Sequence, residues 1–322
     1  MGVIGAILGD IAGSRFEFMW DDASLNYRRN QNYEMFSDKN FATDDTFMTI
    51  ACMDACLHGG DFAKYYRKYG LKYPASYGGR FGMWLICPLM GPYGSYGNGS
   101  AMRVSYIGEH YPLVGEDSVE KMATLSAEVT HNHEEGIKGA VVTATCIAMA
   151  KKGSSKDEIL EYAISQYNSK DKNHPYMYGC NLPYKSYKYS MKMDESCMNS
   201  VPVAIRCFYE SESFEECMRM INAMCCDTDT VCAIAGSICE SYYGYCYSKE
   251  KDEELIRRYL PKELSLFLEE NGIFEKREVV KLVNDSKIKG KSHCSLFSFF
   301  KNHEKKAKNP IENDSFEEEE ER

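Results

Sequence analysis

Four carboxylates and four threonine hydroxyls stand in two short runs of this chain, and oxygen donors of that kind suit a hard divalent cation. In the first run, Thr43, Asp44, Asp45 and Thr46 precede apolar, helix-like sequence that includes Phe47, Ile50 and Ala51. That order puts Thr43 near a helix N-cap and both aspartates in the first turn, where the helix dipole favours ionised carboxylates. Capping needs one aspartate. Two adjacent ones repel unless a cation neutralises them. In the second run, Asp227, Thr228, Asp229 and Thr230 lead into VCAIAGSICESYYG, again a helix of small apolar residues. Brought together, the runs supply enough oxygen for two hexacoordinate ions completed by water, an arrangement that can clamp attacking and leaving oxygens. The reading requires the two runs to meet within a side chain's reach.

Three further stretches carry chemistry of a weaker kind. Tyr96, Gly97, Asn98, Gly99, Ser100, Ala101, Met102 and Arg103 form a Gly-rich loop, whose exposed amides near a helix start would make an anion cradle. A second stretch, GDIAGSRFE, runs from Gly9 to Glu17. The third is Thr130, His131, Asn132 and His133; histidines two apart do not share a helix face, so zinc is not expected there.

The elements that must position these groups are helices. In EEGIKGAVVTATCIAMAKKG, apolar Ile137, Ala140, Val141, Ala144, Ile147 and Ala148 share one face, and Gly153 after Lys151 and Lys152 marks a stop. Ser155 with Glu158, and Ser213 with Glu216, have the spacing of capping boxes. Alternating, strand-like runs are scarce, and the expected class is all-α, a compact multi-helix bundle. A polar loop rich in Tyr and Lys over 168–195 reads either as a surface connector or as a lid facing substrate. The expected organisation is a domain over 1–284 and a charged, disordered tail over 285–322, in which LFSFF is a candidate docking segment.

The whole chain narrows the function classes. A formal charge of −10 over 322 residues does not suit a general nucleic-acid binder and favours divalent cations as partners. The 14 cysteines lack zinc-type pairs and include adjacent Cys225 and Cys226, so they read as reduced thiols of a cytoplasmic protein. Cys225, Cys232, Cys239 and Cys246 recur every seven residues, as core-packing positions of a helix do. The apolar N-terminus, MGVIGAILGDIAGS, is short, lacks a basic flank and is interrupted by Asp10, so it is expected to be neither a signal peptide nor a membrane span.

Six stretches in order, GAILGDIAGSRFEF, ATDDT, GNGSAMRV, TH followed by GIKGA, SVPVAIRCFYES and DTDTVCAIAGSICESYYG, resemble the ADP-ribosylglycohydrolases, a family that includes the dinitrogenase reductase-activating glycohydrolase and the ADP-ribosylarginine and ADP-ribosylserine hydrolases. The resemblance spans residue 2 to about 245 and implies an all-α fold with a binuclear magnesium or manganese site at the bottom of a cleft. It implies Thr43, Asp44 and Asp45 as one set of metal ligands and Asp227, Asp229 and Thr230 as the other. Glu17 stands where the family has a glutamate near metals and substrate. Asn98, Gly99 and Ser100 match the segment that holds diphosphate and ribose, and His131 matches a histidine facing the ribose. Cys225 and Cys226 replace the usual Gly-Gly, a departure that can tighten the cleft or alter specificity while the ligands survive.

The expected activity is a magnesium-dependent hydrolase that removes ADP-ribose from a modified protein side chain or a related conjugate, working as a monomer without nucleic acid or membrane. Proton transfer falls to Glu17, Asp227 or Asp229. Arginine, serine and O-acetyl linkages are all family substrates. A non-catalytic ADP-ribose-binding module and a structural, crystallin-like protein are the alternatives.

Overall fold

The computed structural model, which describes residues 2–274 apart from 31, 169 and 171–177, is built around α1 (Gly2–Ser14), a helix whose every residue is buried. Its sequence explains the depth. Gly5, Gly9 and Gly13 recur every four residues and so share one edge. A Cβ on any of them would run into the backbone of α12 (Thr228–Tyr243), at Gly236, Cys232 and Thr228 respectively. The pairings descend as α1 ascends, so the helices run antiparallel with their backbones in contact. The other faces of α1 bury Ile7, Leu8 and Ile11, at roughly 1.5–3 kcal/mol for each side chain removed from water.

Around this pair lie α2 (Asp22–Arg29), α3 (Asp44–Leu57), α4 (Phe62–Lys72), α5 (Gly79–Ile86), α6 (Ser105–His110), α7 (Val119–Glu128), α8 (Glu134–Lys151), α9 (Lys156–Gln166), α10 (Cys197–Glu210), α11 (Phe214–Asn222), α13 (Lys249–Tyr259) and α14 (Lys262–Glu270). No strand occurs among the described residues; a single isolated bridge pairs Gly97 with Ser196. The class is all-α, as the sequence implied.

Local signals act where they stand. Ser155 and Glu158 close a full capping box on α9. Ser213 caps α11 by accepting from Glu216 N, but the Glu216 carboxylate accepts from Glu212 N instead of returning to the cap. Gly153 adopts φ +85° just past α8, and Gly244 ends α12 in the left-handed conformation. Of the expected α8 face, Ala140, Ala144, Ile147 and Ala148 are buried, while Ile137 and Val141 pack at the core's margin.

All thirteen cysteines among the described residues are free. Cys232 and Cys239 pack inside α12, and Cys225 and Cys246 lie just outside its ends. No helix among the described residues is long and apolar enough to cross a membrane. The described residues belong to one compact unit; the tail over 285–322, with LFSFF, lies outside them.

Candidate metal and substrate site

The two acidic runs meet. α3 begins at Asp44, with Thr43 as N-cap accepting from Asp45 N, and α12 begins at Thr228, with Asp227 as N-cap. The contact of α1 with α12 brings these two helix starts to one place, and Thr230 Oγ1 donates to Asp45 Oδ2 across 3.0 Å. Glu17, three residues beyond α1, joins Asp227 and Asp229: one carboxylate oxygen from each lies within 4.8 Å of the other two. Glu17, Asp44, Asp45, Asp227, Asp229 and Thr230 line a cavity of about 860 Å³, which Thr43 and Thr228 do not; the volume is within the usual range for a small-molecule site of roughly 300–1,000 Å³.

Several segments complete the wall. The loop before α6 supplies Gly97, Asn98 and Gly99, with Asn98–Ser100 forming one 3-10 turn. The Asn98 amide donates to Asp227 Oδ2 at 2.8 Å and to Ser200 Oγ at 3.0 Å, which fixes the direction of the Asp227 carboxylate. Ser200 sits on α10, within the SVPVAIRCFYES stretch, so that stretch acts on the site at second hand. Met193, Asp194 and Glu195 also line the cavity. They are held there by Asn98 N donating to Glu195 O at 2.7 Å and Cys197 N donating to Tyr96 O at 3.0 Å. The end of the 168–195 loop therefore faces the cavity. Phe18, Phe81, Tyr93 and Tyr96 give it aromatic surface.

Other groups read from the sequence sit less directly. His131 is buried on the cavity wall. Its Nδ1 pairs with Thr130 Oγ1 at 2.7 Å, and Thr130 Oγ1 accepts from Arg103 at 3.0 Å. The other ring nitrogen, Nε2, is the one nearest Gly99. Burial, then the Arg103 charge, holds the His131 pKa well below the ordinary value, so the ring is neutral. Ser100 does not line the cavity; its hydroxyl donates to Gly136 O at 2.7 Å and ties the loop to α8. The Thr43 hydroxyl donates to Asp10 at 2.8 Å.

So many carboxylates in one buried place cannot all be ionised without help. Burial first, then Asp227, pushes Glu17 up to about 7. Burial and Asp10 push Asp44 up to about 8. Asp45, Asp227 and Asp229 are all raised, mainly by burial. Asp45 Oδ1 and Asp229 Oδ1 are buried with no hydrogen-bond partner among the described residues. Orphaned carboxylate oxygens on both sides of one contact are what divalent cations would satisfy, so the donor set fits such ions.

Sequence reasoning passed over Asp10, which accepts four hydrogen bonds from the start of α3. The signal was the GDIAGS stretch itself, an acid among residues that are otherwise small or apolar. It also passed over Asp194 and Glu195 on the cavity wall, and no sequence motif marks them. Arg103, in the quoted Gly-rich loop, is nearly fully buried against the Tyr66 ring at 4.1 Å, donates to Ser126 O, and also lines the cavity.

A family model described as ADP-ribosylglycohydrolase matches residues 1–246. ADP-ribosylhydrolase ARH3 of Homo sapiens is 29% identical over 187 residues, covering 47% of this chain and 51% of that protein. The Bos taurus protein of the same name is 28% identical over 187 residues, with the same coverage. An uncharacterised protein of Archaeoglobus fulgidus is 31% identical over 148 residues, covering 44% and 47%. The match spans about half the length of these curated relatives. Among solved structures, a chain of an ADP-ribosylglycohydrolase-related protein complex superposes with a TM-score of 0.60 at 19% identity, over 82% of this chain and 93% of that one; at that identity the likeness is one of fold.

Proposed function

This chain belongs to the ADP-ribosylglycohydrolase family, and from that premise we propose that it hydrolyses the bond between ADP-ribose and a modified protein side chain or related conjugate, acting as a cytoplasmic monomer. The observation that carries this reading is the 3.0 Å bond between Thr230 and Asp45 on the wall of a ligand-sized cavity, with a bare buried oxygen on Asp45 and on Asp229. We assign Thr43, Asp44 and Asp45 to hold one magnesium ion and Asp227, Asp229 and Thr230 a second, with manganese able to replace either. Bound there, the ions would supply Lewis-acid polarisation and a water of lowered pKa.

The chain's own residues do the rest. Glycosidic cleavage passes through an oxocarbenium-like state and needs a proton delivered to the leaving atom while water adds to the anomeric carbon. Glu17 suits that transfer better than its neighbours. It is only half-buried and lines the cavity, where its carboxylate can reach a bound conjugate. Asp227 is committed to Asn98, and Asp45 to Thr230. Neutral His131 can meet a ribose hydroxyl through Nε2, which either gives or takes the shared proton. The Gly97 amide donates to Ser95 Oγ at 3.1 Å, which leaves the Gly99 amide to meet a diphosphate, and Phe81 and Tyr93 offer ring faces to a base. The free state of the thirteen cysteines among the described residues supports a reducing compartment.

Release of ADP-ribose from ADP-ribosylarginine, ADP-ribosylserine and O-acetyl-ADP-ribose tests the assignment. Asp45→Ala and Asp229→Ala should each abolish release and leave helical content intact. Equal turnover by EDTA-treated and magnesium-supplemented protein would sink the scheme. Tight ADP-ribose binding with no turnover on any of the three would favour a binding module.

A further inference from the structure

We propose that Asp10 is a positioning residue that holds the two acidic runs in register, acting through the first turn of α3. The inference rests on the metal reading above. Asp10 follows Gly9 on α1, so its side chain leaves the helix roughly 100° around from the glycine edge that faces α12. It points at α3 instead. Its carboxylate accepts from Thr43 N at 2.9 Å, Thr43 Oγ1 at 2.8 Å, Thr46 N at 3.1 Å and Thr46 Oγ1. Asp10 is fully buried and does not line the cavity.

The donors explain the arrangement. The first N–H groups of a helix have no partner within it and must be met from outside. In α3 one of them, Asp45 N, is met by the Thr43 hydroxyl, while Thr43 N and Thr46 N are met by a carboxylate from another helix. An anion at that position also complements the helix dipole. Asp44 and Asp45 therefore sit between two residues, Thr43 and Thr46, that are both fastened to α1. The same turn of α1 fixes α12: a Cβ on Gly13 would lie 2.5 Å from Thr228 C and 2.6 Å from Asp229 Cα. Asp10 on one edge and Gly13 on another thus lock the start of α3 and the start of α12 to one rigid helix. The spacing of Asp45 from Asp229 is set by α1 and not by α3 and α12 alone.

Calorimetry of manganese binding to the full chain, read beside melting temperature, tests this. Asp10→Asn keeps the shape but cannot accept all four donors. It should weaken manganese binding about 10- to 100-fold with the number of ions unchanged, in line with other residues that orient ligands without touching the ion. Thr46→Val, a milder change, should weaken it by a smaller factor. The double variant should fall short of the product of the two, because both act on one turn. Manganese affinity of Asp10→Asn within twofold of the parent, whatever happens to its melting temperature, overturns the proposal. Loss of one ion with the other unaffected also overturns it, making Asp10 a ligand. If Asp10→Asn does not fold, Thr46→Val decides, and unchanged affinity in that variant overturns the proposal. A parent chain that binds no manganese overturns the metal reading itself, a result distinct from failure of the Asp10 variants alone.

Discussion

Gly13→Ala adds one methyl group outside the cavity, and the structure predicts that it disables the site. A Cβ at this position meets Thr228 O, lies 2.5 Å from Thr228 C and 2.6 Å from Asp229 Cα. Carbon atoms of this kind pack at about 3.5–4.0 Å, so the first turn of α12 must retreat by about 1 Å. Asp227, Asp229 and Thr230 ride on that turn. Metal–ligand distances tolerate about 0.2 Å, and a 1 Å misplacement of a reacting group costs on the order of 100-fold in rate. Overpacking should also destabilise the fold by about 1–3 kcal/mol, offset by up to about 1 kcal/mol because alanine is the better helix former. Gly82→Ala in α5 is the control: its Cβ would meet nothing within 4 Å, so it should stabilise by about 0.4–1 kcal/mol and leave turnover alone. The assay is ADP-ribose release at saturating magnesium together with thermal melting of both variants. Gly13→Ala with turnover within twofold of the parent and an unchanged melting temperature would refute the reasoning, because the contact between α1 and α12 would then have room to spare.

Other outcomes follow from the same geometry. Thr230→Val removes the donor to Asp45 Oδ2 and leaves a buried acceptor bare, so melting should show a loss of about 1–3 kcal/mol, with weaker manganese binding by calorimetry. Glu17→Gln should cost about 10²- to 10⁴-fold in turnover, since the amide cannot pass a proton; single-turnover kinetics checks this. Glu240, buried and accepting from Gly5 N at 2.7 Å, is raised by burial from 4.5 to about 8 in the fold. The folded state therefore keeps this proton where the unfolded chain has released it. The contribution is fully present below the unfolded value and is lost as pH rises through the folded one. Glu240→Gln should remove that loss, so its melting temperature relative to the parent should rise steadily between about pH 5 and about pH 9; a flat difference would count against it.

Both acidic runs, their flanking threonines and their places at helix starts were legible in the sequence. A threonine before two acids and an apolar run has one local meaning, and capping is set by neighbours within four residues. The all-α class was legible for the same reason, from period and stop signals. The role of the glycines in α1 was not. Their spacing is visible, but that their edge faces α12, and so brings Asp229 to Asp45, depends on contacts between residues far apart in the chain. Asp10 reads locally as a break in an apolar helix; only the position of α3 turns it into an anchor. Ser100 shows the converse, a motif residue whose hydroxyl the fold directs to Gly136 O, away from the cavity. Asp194 and Glu195 carry no signal because a single bridge between Gly97 and Ser196 puts them on the wall. The sequence by itself determined which side chains are the candidates for the chemistry and that helix starts present them, since both follow from short-range steric and electrostatic rules. The tertiary structure decided the distances between them, because those are fixed by how closely two helix backbones approach, and that closeness depends on which helices pack together.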